Sequence, residues 1–498
     1  MEKRLIVAIF LSLLVILSWS ALTTKLYHPV NKEVTEKPSS YVSETLTPAL
    51  DSPKETEKST FAYSTDKLEI VFVEPEAAIQ DVIFKAQQDY KFTLGNGFFL
   101  KDSTLSFKKE KTTADEIVFV HSDDNKKIVK HFIFSEPYSI SLHITLQNLS
   151  NADMMLNLPL VLGTLDFTSA NPSARFQDFI ISTKEKTLHL NTRKPMNFQE
   201  AKFIGLRDRY FCAIIEPVTS LAPAAYIQPI TSQRIETGLN LSLPPNRETK
   251  LSFRIYLGPQ ELTTINNVKP AWSSVIHYGA FDVIAQILLK LITYIYSILH
   301  NWGWSIVIIS LLIYILLFPL SAKQMRSMKE MQALQPKIEE LRRTHKDNPQ
   351  RMNKEIMELY KEHKVNPFGG CFPVLLQIPI FFALYQVLMR AVFLKGAKFL
   401  WIKDLSEPDR LFTLPFNLPV ISNELNLLPI LMVLGMFIQQ KLSAKVTTTN
   451  SEQQKLMMVI FPAMFGLFFY RMSSGLVLYW FTNSALMLLY QLRVSRAK

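Results

Sequence analysis

Residues 366–394, NPFGGCFPVLLQIPIFFALYQVLMRAVFL, decide how the rest of this chain is read. The apolar run from Phe372 to Leu394 would be about 35 Å long as a helix, enough to cross a hydrocarbon core. It also carries Gln377, Gln386 and Arg390, with Pro373 and Pro379 inside it. Unsatisfied polar groups are costly against lipid, so a helix used only as an anchor would rarely accept these residues. One side of the segment is therefore expected to face protein or water.

Composition leads the same way. The 498 residues are 48% hydrophobic, and the mean hydropathy is +0.11. That is too apolar for an ordinary soluble enzyme and too polar for a wholly embedded chain, so part of it should be soluble and part membrane-bound. Residues 25–270 hold 28 basic and 29 acidic side chains, leaving 26 basic and 14 acidic of the chain's 54 and 43 for the remainder. The positive charge flanks apolar segments on alternate sides, as orientation signals do, so no direct nucleic-acid partner is expected. Two cysteines, Cys212 and Cys371, cannot build a disulfide framework and read as inert thiols. The histidines show no metal-ligand spacing, and no HExxH, GxSxG or glycine-rich phosphate loop occurs. No enzyme activity, cofactor or metal is expected.

Along the chain, residues 1–24 read as a transmembrane anchor: a short positive leader, Met1 to Arg4, precedes the apolar run Leu5 to Leu22. A cleaved signal peptide ending before Ala21 is the competing reading. Residues 25–60 are rich in Pro, Ser, Thr, Glu and Lys and form a flexible linker. From residue 61 the period becomes two: Leu68, Ile70 and Phe72, then Ile140, Leu142, Ile144 and Leu146, alternate with other residues. Residues 61–270 are expected to be an antiparallel β-sandwich, acting as a scaffold or, alternatively, carrying a binding cleft.

Residues 271–498 form the membrane domain. An amphipathic helix at 281–299 lies in the interface, and Trp302 and Trp304 belong to an aromatic belt. Spans follow at 305–320, 372–394, 425–440, 456–470 and 476–492. With the anchor this makes six, both termini inside. Residues 321–366 hold eleven basic against seven acidic side chains and form a cytoplasmic helical hairpin. Met325, Met328, Met331, Leu334, Ile338 and Leu341 step by three or four along one arm. The two arms either simply bury each other or present a basic, methionine-rich docking surface around Met325, Arg326, Met328 and Met331 for a nascent chain or ribosome.

NPFGGCFPVLLQIPIFFALYQVL, the preceding LQPKIEELR, the following FLWIKDLSEPD and SSGLVLYWFTNS near the end together resemble the YidC/Oxa family of membrane protein insertases, in its Gram-negative form with a large periplasmic domain. The resemblance implies a multi-pass α-helical membrane protein of the bacterial inner membrane with an all-β periplasmic super-sandwich. It implies a protein that receives nascent membrane proteins, alone or with the Sec translocon, and releases them sideways into lipid without ATP. The family's hydrophilic groove falls here on Ser310, Gln377 and Asn483. Its greasy client slide falls on Phe372, Leu375, Phe381 and Phe468, with Tyr479 near them. Tyr314 stands where the family typically has an arginine. Arg390 and Arg471 lie toward outer helix ends and are expected to snorkel to the interface. A secondary transporter using Gln377, Gln386 and Asn483 is the other reading, but the spans contain no inverted repeat and no acid for ion coupling.

If the methionine seam docks clients, replacing Met325, Met328 and Met331 together by leucine will leave folding intact, because volume is kept, while crosslinking of a stalled client falls. Crosslinking equal to wild type would reduce the seam to packing.

Overall fold

Strict alternation builds the first half of the molecule. In the strand Lys126–Glu136, the side chains of Ile128, Lys130 and Phe132 turn inward and are fully buried, while their neighbours remain partly exposed. The computed structural model describes residues 59–496, except 151–155, 172, 219–222, 244–247, 346–347, 364, 366–371, 419–421 and 445–451. The expected anchor, nearly all of the linker and Cys371 lie outside the described residues.

A nine-stranded antiparallel sheet runs, edge to edge, through Thr187–Leu190, Asp178–Ser182, Phe203–Arg207, Phe211–Pro217, Glu248–Pro259, Ser139–Asn148, Lys126–Glu136, Glu116–Ser122 and Lys108–Thr112. Two four-stranded sheets lie against it. Phe72, from the first of these, stands 5.6 Å from Phe119 and 5.4 Å from Phe132 of the large sheet. The small sheets are stitched to each other where Phe98 N donates to Val161 O at 2.7 Å and Val161 N to Phe99 O at 2.8 Å. The sandwich read from period two is therefore present.

Three strands of the large sheet break the alternation. Asp178–Ser182 and Phe203–Arg207 are buried at every position, and Phe211–Pro217 over its first five. The reason is a second apolar layer on the opposite face, where Ile180, Phe203, Cys212, Ile214 and Tyr256 pack with Trp272 and with the helices that follow. Burial pushes the Cys212 thiol far above its usual pKa, which keeps it an unreactive thiol. Within this layer Arg207 grips Asp178 through two nitrogens and donates from Nη1 to Val275 O at 3.0 Å. Trp272 Nε1 and Lys269 Nζ both donate to Glu216, at 2.9 and 2.6 Å. The segment leading out of the sandwich, including helix α1 (Leu262–Val268), is thus strapped to the sheet.

Helix α2 (Asp282–Leu299) exposes Val283, Ile287, Tyr294 and Ile298 on one side and buries Leu288, Ile292 and Ile295 on the other. Helix α3 (Trp302–Ala333) does not stop near Leu320 as expected; it continues through Pro319 into the first arm of the hairpin. Residues 321–333 contain neither glycine nor proline and are rich in strong helix formers, so nothing ends the helix there. The break comes instead at Leu334, before α4 (Gln335–Thr344). Met331, Leu334 and Ile338 then pack against Ile356, Leu359 and Tyr360 of α5 (Pro349–Glu362). The remaining helices are α6 (Phe372–Arg390), α7 (Leu427–Ala444), α8 (Glu452–Phe469) and α9 (Ser474–Arg496). By length and composition, the described stretches Gly279–Leu299 and Trp302–Ser327 are long and apolar enough to cross a membrane.

Lys130 is the exception in the sandwich core. Its ammonium donates to the carbonyls of Ala77 and Phe98, with the latter contact at 2.7 Å. Ala77 and Phe98 are non-glycine residues held at φ 45° and 62°, so the lysine ties two strained corners whose carbonyls turn inward. Burial lowers its pKa to about 7. A lysine pKa depressed in the folded state binds fewer protons there than in the unfolded chain between about pH 7 and 10.5, so stability rises with pH across that window. Relative to Lys130→Met, the wild-type sandwich should gain a few kcal/mol between pH 7 and pH 10. Urea midpoints for amide protection in residues 126–148 check this, and a pH-independent difference would contradict it.

Candidate functional site

At the end of the helix bundle next to the sandwich, the helix ends are closed by hydrogen bonds. An α-helix leaves its first N–H and last C=O groups without internal partners. Here Leu428 N, at the start of α7, donates to Asp409 Oδ2 at 2.8 Å, and Trp401 Nε1 donates to the same oxygen at 3.1 Å. Ser474 N and Gly475 N, opening α9, donate to Glu407 O and Leu405 O at 2.8 and 2.9 Å. Asn426 Nδ2 donates to Tyr470 O at 2.8 Å, just past α8. Met389 O, in the last turn of α6, accepts from Arg209 Nε at 2.7 Å. At the start of α3, Trp302 stacks between Tyr296 and Phe393 at 3.8 and 3.9 Å. Phe399 fills the space beside Gly303, where a Cβ would meet its ring at 2.1 Å.

Away from that end the polar groups are left differently. Ser310 is fully buried and donates to Ile306 O at 2.6 Å, so its hydroxyl is locally satisfied. One turn on, the Tyr314 hydroxyl is buried and has no hydrogen-bond partner among the described residues. The Tyr479 hydroxyl is likewise buried and, among the described residues, completes no hydrogen bond. Gln377 from α6 and Asn483 from α9 both lie close enough to Tyr479 to act on it. Neither completes a well-formed bond; Asn483 Nδ2 donates instead to Tyr479 O at 3.2 Å. Gln491 Oε1, further along α9, is a third buried acceptor without a partner among the described residues. No Asp, Glu, Lys or Arg occurs in residues 302–322, 372–389, 425–440, 456–470 or 474–492. These groups can therefore hydrogen-bond, but they carry no charge.

Beside the polar set lies an aromatic one. Phe381 sits 5.1 Å from Trp480, 5.6 Å from Phe382 and 6.3 Å from both Tyr385 and Phe469. Phe465 joins it, 5.5 Å from Trp480. In front of this cluster Phe382, Met464, Leu467 and Phe468 are exposed, Phe468 to 58%. Tyr479 belongs with Gln377 and Asn483 rather than with this edge, because it is wholly buried. Phe372 and Leu375 lie on α6, but their side chains are outside the described residues. On the hairpin, Met325 is half-buried, Arg326 is exposed and Met331 packs in the seam, while the Met328 side chain lies outside the described residues.

Sequence reading did not single out Phe465, Trp480 or Gln491. The first could have been found from the four-residue spacing of Phe461, Phe465 and Phe469, and the last as an amide in an otherwise apolar span. Arg390 corrects an expectation. It turns into the sandwich, where Nη1 donates to Phe176 O at 3.3 Å, instead of reaching toward lipid headgroups. A carbonyl and an aromatic face within reach offer the guanidinium partners that a snorkelling side chain would have to seek further away.

Comparison with known proteins gives this geometry a family. Residues 294–498 match the family described as 60Kd inner membrane protein, and residues 64–291 match the YidC periplasmic domain. The membrane protein insertase YidC of Syntrophobacter fumaroxidans is 34% identical over 385 residues, covering 74% of this chain and 68% of that protein. The membrane protein insertase YidC of Geotalea daltonii is 30% identical over 551 residues, covering 100% of this chain and 99% of its own. A solved structure described as an active YidC insertase with its first transmembrane domain resolved covers 88% of this chain and 93% of its own, at 18% identity and a TM-score of 0.42. With a relative matched end to end, the chain belongs to the YidC family of membrane protein insertases.

Proposed function

We propose that this chain inserts nascent membrane proteins through an uncharged polar cleft between α3, α6 and α9, and releases their apolar helices over the aromatic edge of α6 and α8. The observation that carries this reading is the pair of buried, unpartnered hydroxyls of Tyr314 and Tyr479, together with Gln491 Oε1. Such groups are costly in hydrocarbon unless something hydrogen-bonds to them. Water and a passing polar segment would both serve.

The cleft would lower the barrier in a simple way. A hydrophilic segment of a client needs partners for its peptide groups, and a hydrated half-channel shortens the distance over which it has none. The client's apolar helix gains by partitioning into lipid, so exposed Phe382, Met464, Leu467 and Phe468 give it a route sideways. No ATP is needed, because the free energy comes from the client's own transfer.

In this reading the chain makes six spans in the bacterial inner membrane. Both termini are cytoplasmic, as the distribution of lysine and arginine supports. The sandwich stands in the periplasm and the hairpin receives clients in the cytoplasm, beside the ribosome. The chain works alone or beside the Sec translocon. No catalytic residue or cofactor enters the account.

Photo-crosslinkers at 314, 377 and 483 should trap a stalled client strongly, and one at 310 less, because the Ser310 hydroxyl is turned to its own helix. A tyrosine hydroxyl can bond a polar segment but cannot attract a carboxylate. Tyr314→Arg should improve insertion of clients with an acidic translocated segment several-fold, an effect worth on the order of 1 kcal/mol after desolvation. Matched neutral clients should be almost unchanged. An equal response of acidic and neutral clients would overturn the uncharged-cleft reading.

A further inference from the structure

The segment joining α6 to α7 leaves large apolar side chains bare. Two strands, Phe412–Leu418 and Ser422–Leu425, form a hairpin there. Phe412 and Phe416 on its first strand are exposed at 61% and 58%. The register slips between Thr413 and Leu418, so residues 414–417 bulge away from the second strand. Pro415 suits that bulge, because it has no N–H to contribute to a ladder. Earlier in the same segment, Phe399 and Ile402 exchange backbone hydrogen bonds at 2.9 and 2.8 Å and close a tight turn that contains Leu400. Leu400 is exposed at 72% and held at φ 50°, a left-handed conformation that a leucine rarely adopts.

Charge stops at the neck of the hairpin. Arg410 Nε meets Glu424 Oε1 at 2.9 Å and its Nη2 meets Glu407 Oε2 at 3.5 Å, whereas residues 411–423 hold no Asp, Glu, Lys, Arg or His. The neck is tied to the helix ends, with Arg410 N donating to Asn426 Oδ1 at 2.9 Å just before α7. The bare surface also runs on into surface that lipid covers in a membrane protein. Trp304, at the start of α3, is exposed with its ring 5.5 Å from that of Phe399, and Ile430, Leu434 and Phe437 are exposed along one face of α7. An uncharged apolar projection at the level of helix ends fits the headgroup and acyl boundary of a bilayer, where aromatic and aliphatic side chains reach acyl chains. It does not fit the hydrocarbon core, since the bulged backbone groups outside the ladder need water or headgroups.

We propose that the hairpin of residues 412–425 and the Leu400 turn form a lipid-binding surface, seated at the headgroup and acyl boundary of the leaflet on the sandwich side. Phe412, Phe416 and Leu400 are its anchors. Contact with acyl chains removes three large side chains from water and offsets the backbone strain at Leu400. The proposal needs only that the bundle is embedded in a bilayer, and it is independent of the cleft. It gives the segment between α6 and α7 an interaction surface outside the spans.

The test uses the full chain in liposomes, spin-labelled at one site at a time, 400 or 416, after Cys371→Ser; Cys212 is buried and does not label. A label at Leu316, exposed on α3, is the reference for hydrocarbon, and one at Asp124, exposed on the sandwich, is the reference for water. Collisions with a water-soluble nickel chelate at 400 and 416 should be about threefold or more below those at 124, and collisions with oxygen should fall below those at 316. Phe412→Ser should raise the nickel collisions at 416 about twofold, while Phe412→Leu leaves them near wild type. Phe412 is exposed, so neither substitution removes core packing. Nickel access at 400 or 416 equal to that at 124 would overturn the proposal, as would oxygen access equal to that at 316. Exclusion of both reagents, as a covering protein surface or a second copy would cause, or no response to Phe412→Ser, would overturn it as well.

Discussion

Everything in this structure turns on where a polar group finds its partner when water is scarce. In hydrocarbon an unpaired backbone or side-chain dipole is expensive, and the chain answers that demand in opposite ways at two places. Next to the sandwich the ends of α6, α7, α8 and α9 meet Arg209, Asp409, Asn426 and the carbonyls of Leu405 and Glu407. Within the bundle the Tyr314 and Tyr479 hydroxyls and Gln491 Oε1 complete no hydrogen bond among the described residues. A closed cap over an unsatisfied interior is the arrangement expected of a cleft that opens only to one side.

The same demand explains features of the soluble half. Lys130 is retained in an aromatic core because two backbone carbonyls at left-handed corners need a donor there. Asp178 and Arg207 sit under the second apolar layer because each neutralises the other, and Arg207 also meets Val275 O. These contacts join the sandwich to the segment leading into α2, so the two halves of the chain share one continuous buried layer.

Much of this was legible in the residues. Alternation at Leu68 to Phe72 and at Ile140 to Leu146 was sufficient for the strands, because each places one face on a core. Gln377 and Asn483 declared themselves as amides inside apolar runs. Three features were not legible, each for a physical reason. The continuous burial of residues 203–207 depends on a second layer supplied by residues 262–278, which period two cannot report. Tyr479 and Phe468 look alike in sequence as aromatics of late spans, and only packing buries one and exposes the other. Arg390 reads as a terminal cation free to reach the interface until Phe176, more than two hundred residues earlier, is placed beside it.

The central claim is that the bundle holds a hydrated polar cleft on one face of α3. It is tested most directly by deuterium modulation of spin labels at 314, 483 and 312 in bilayers made in heavy water. Leu312 is 42% exposed on the same helix as Tyr314 and at nearly the same depth. The account predicts deep modulation at 314 and 483 and shallow modulation at 312. Labels at 314 and 483 as dry as the label at 312 would contradict it.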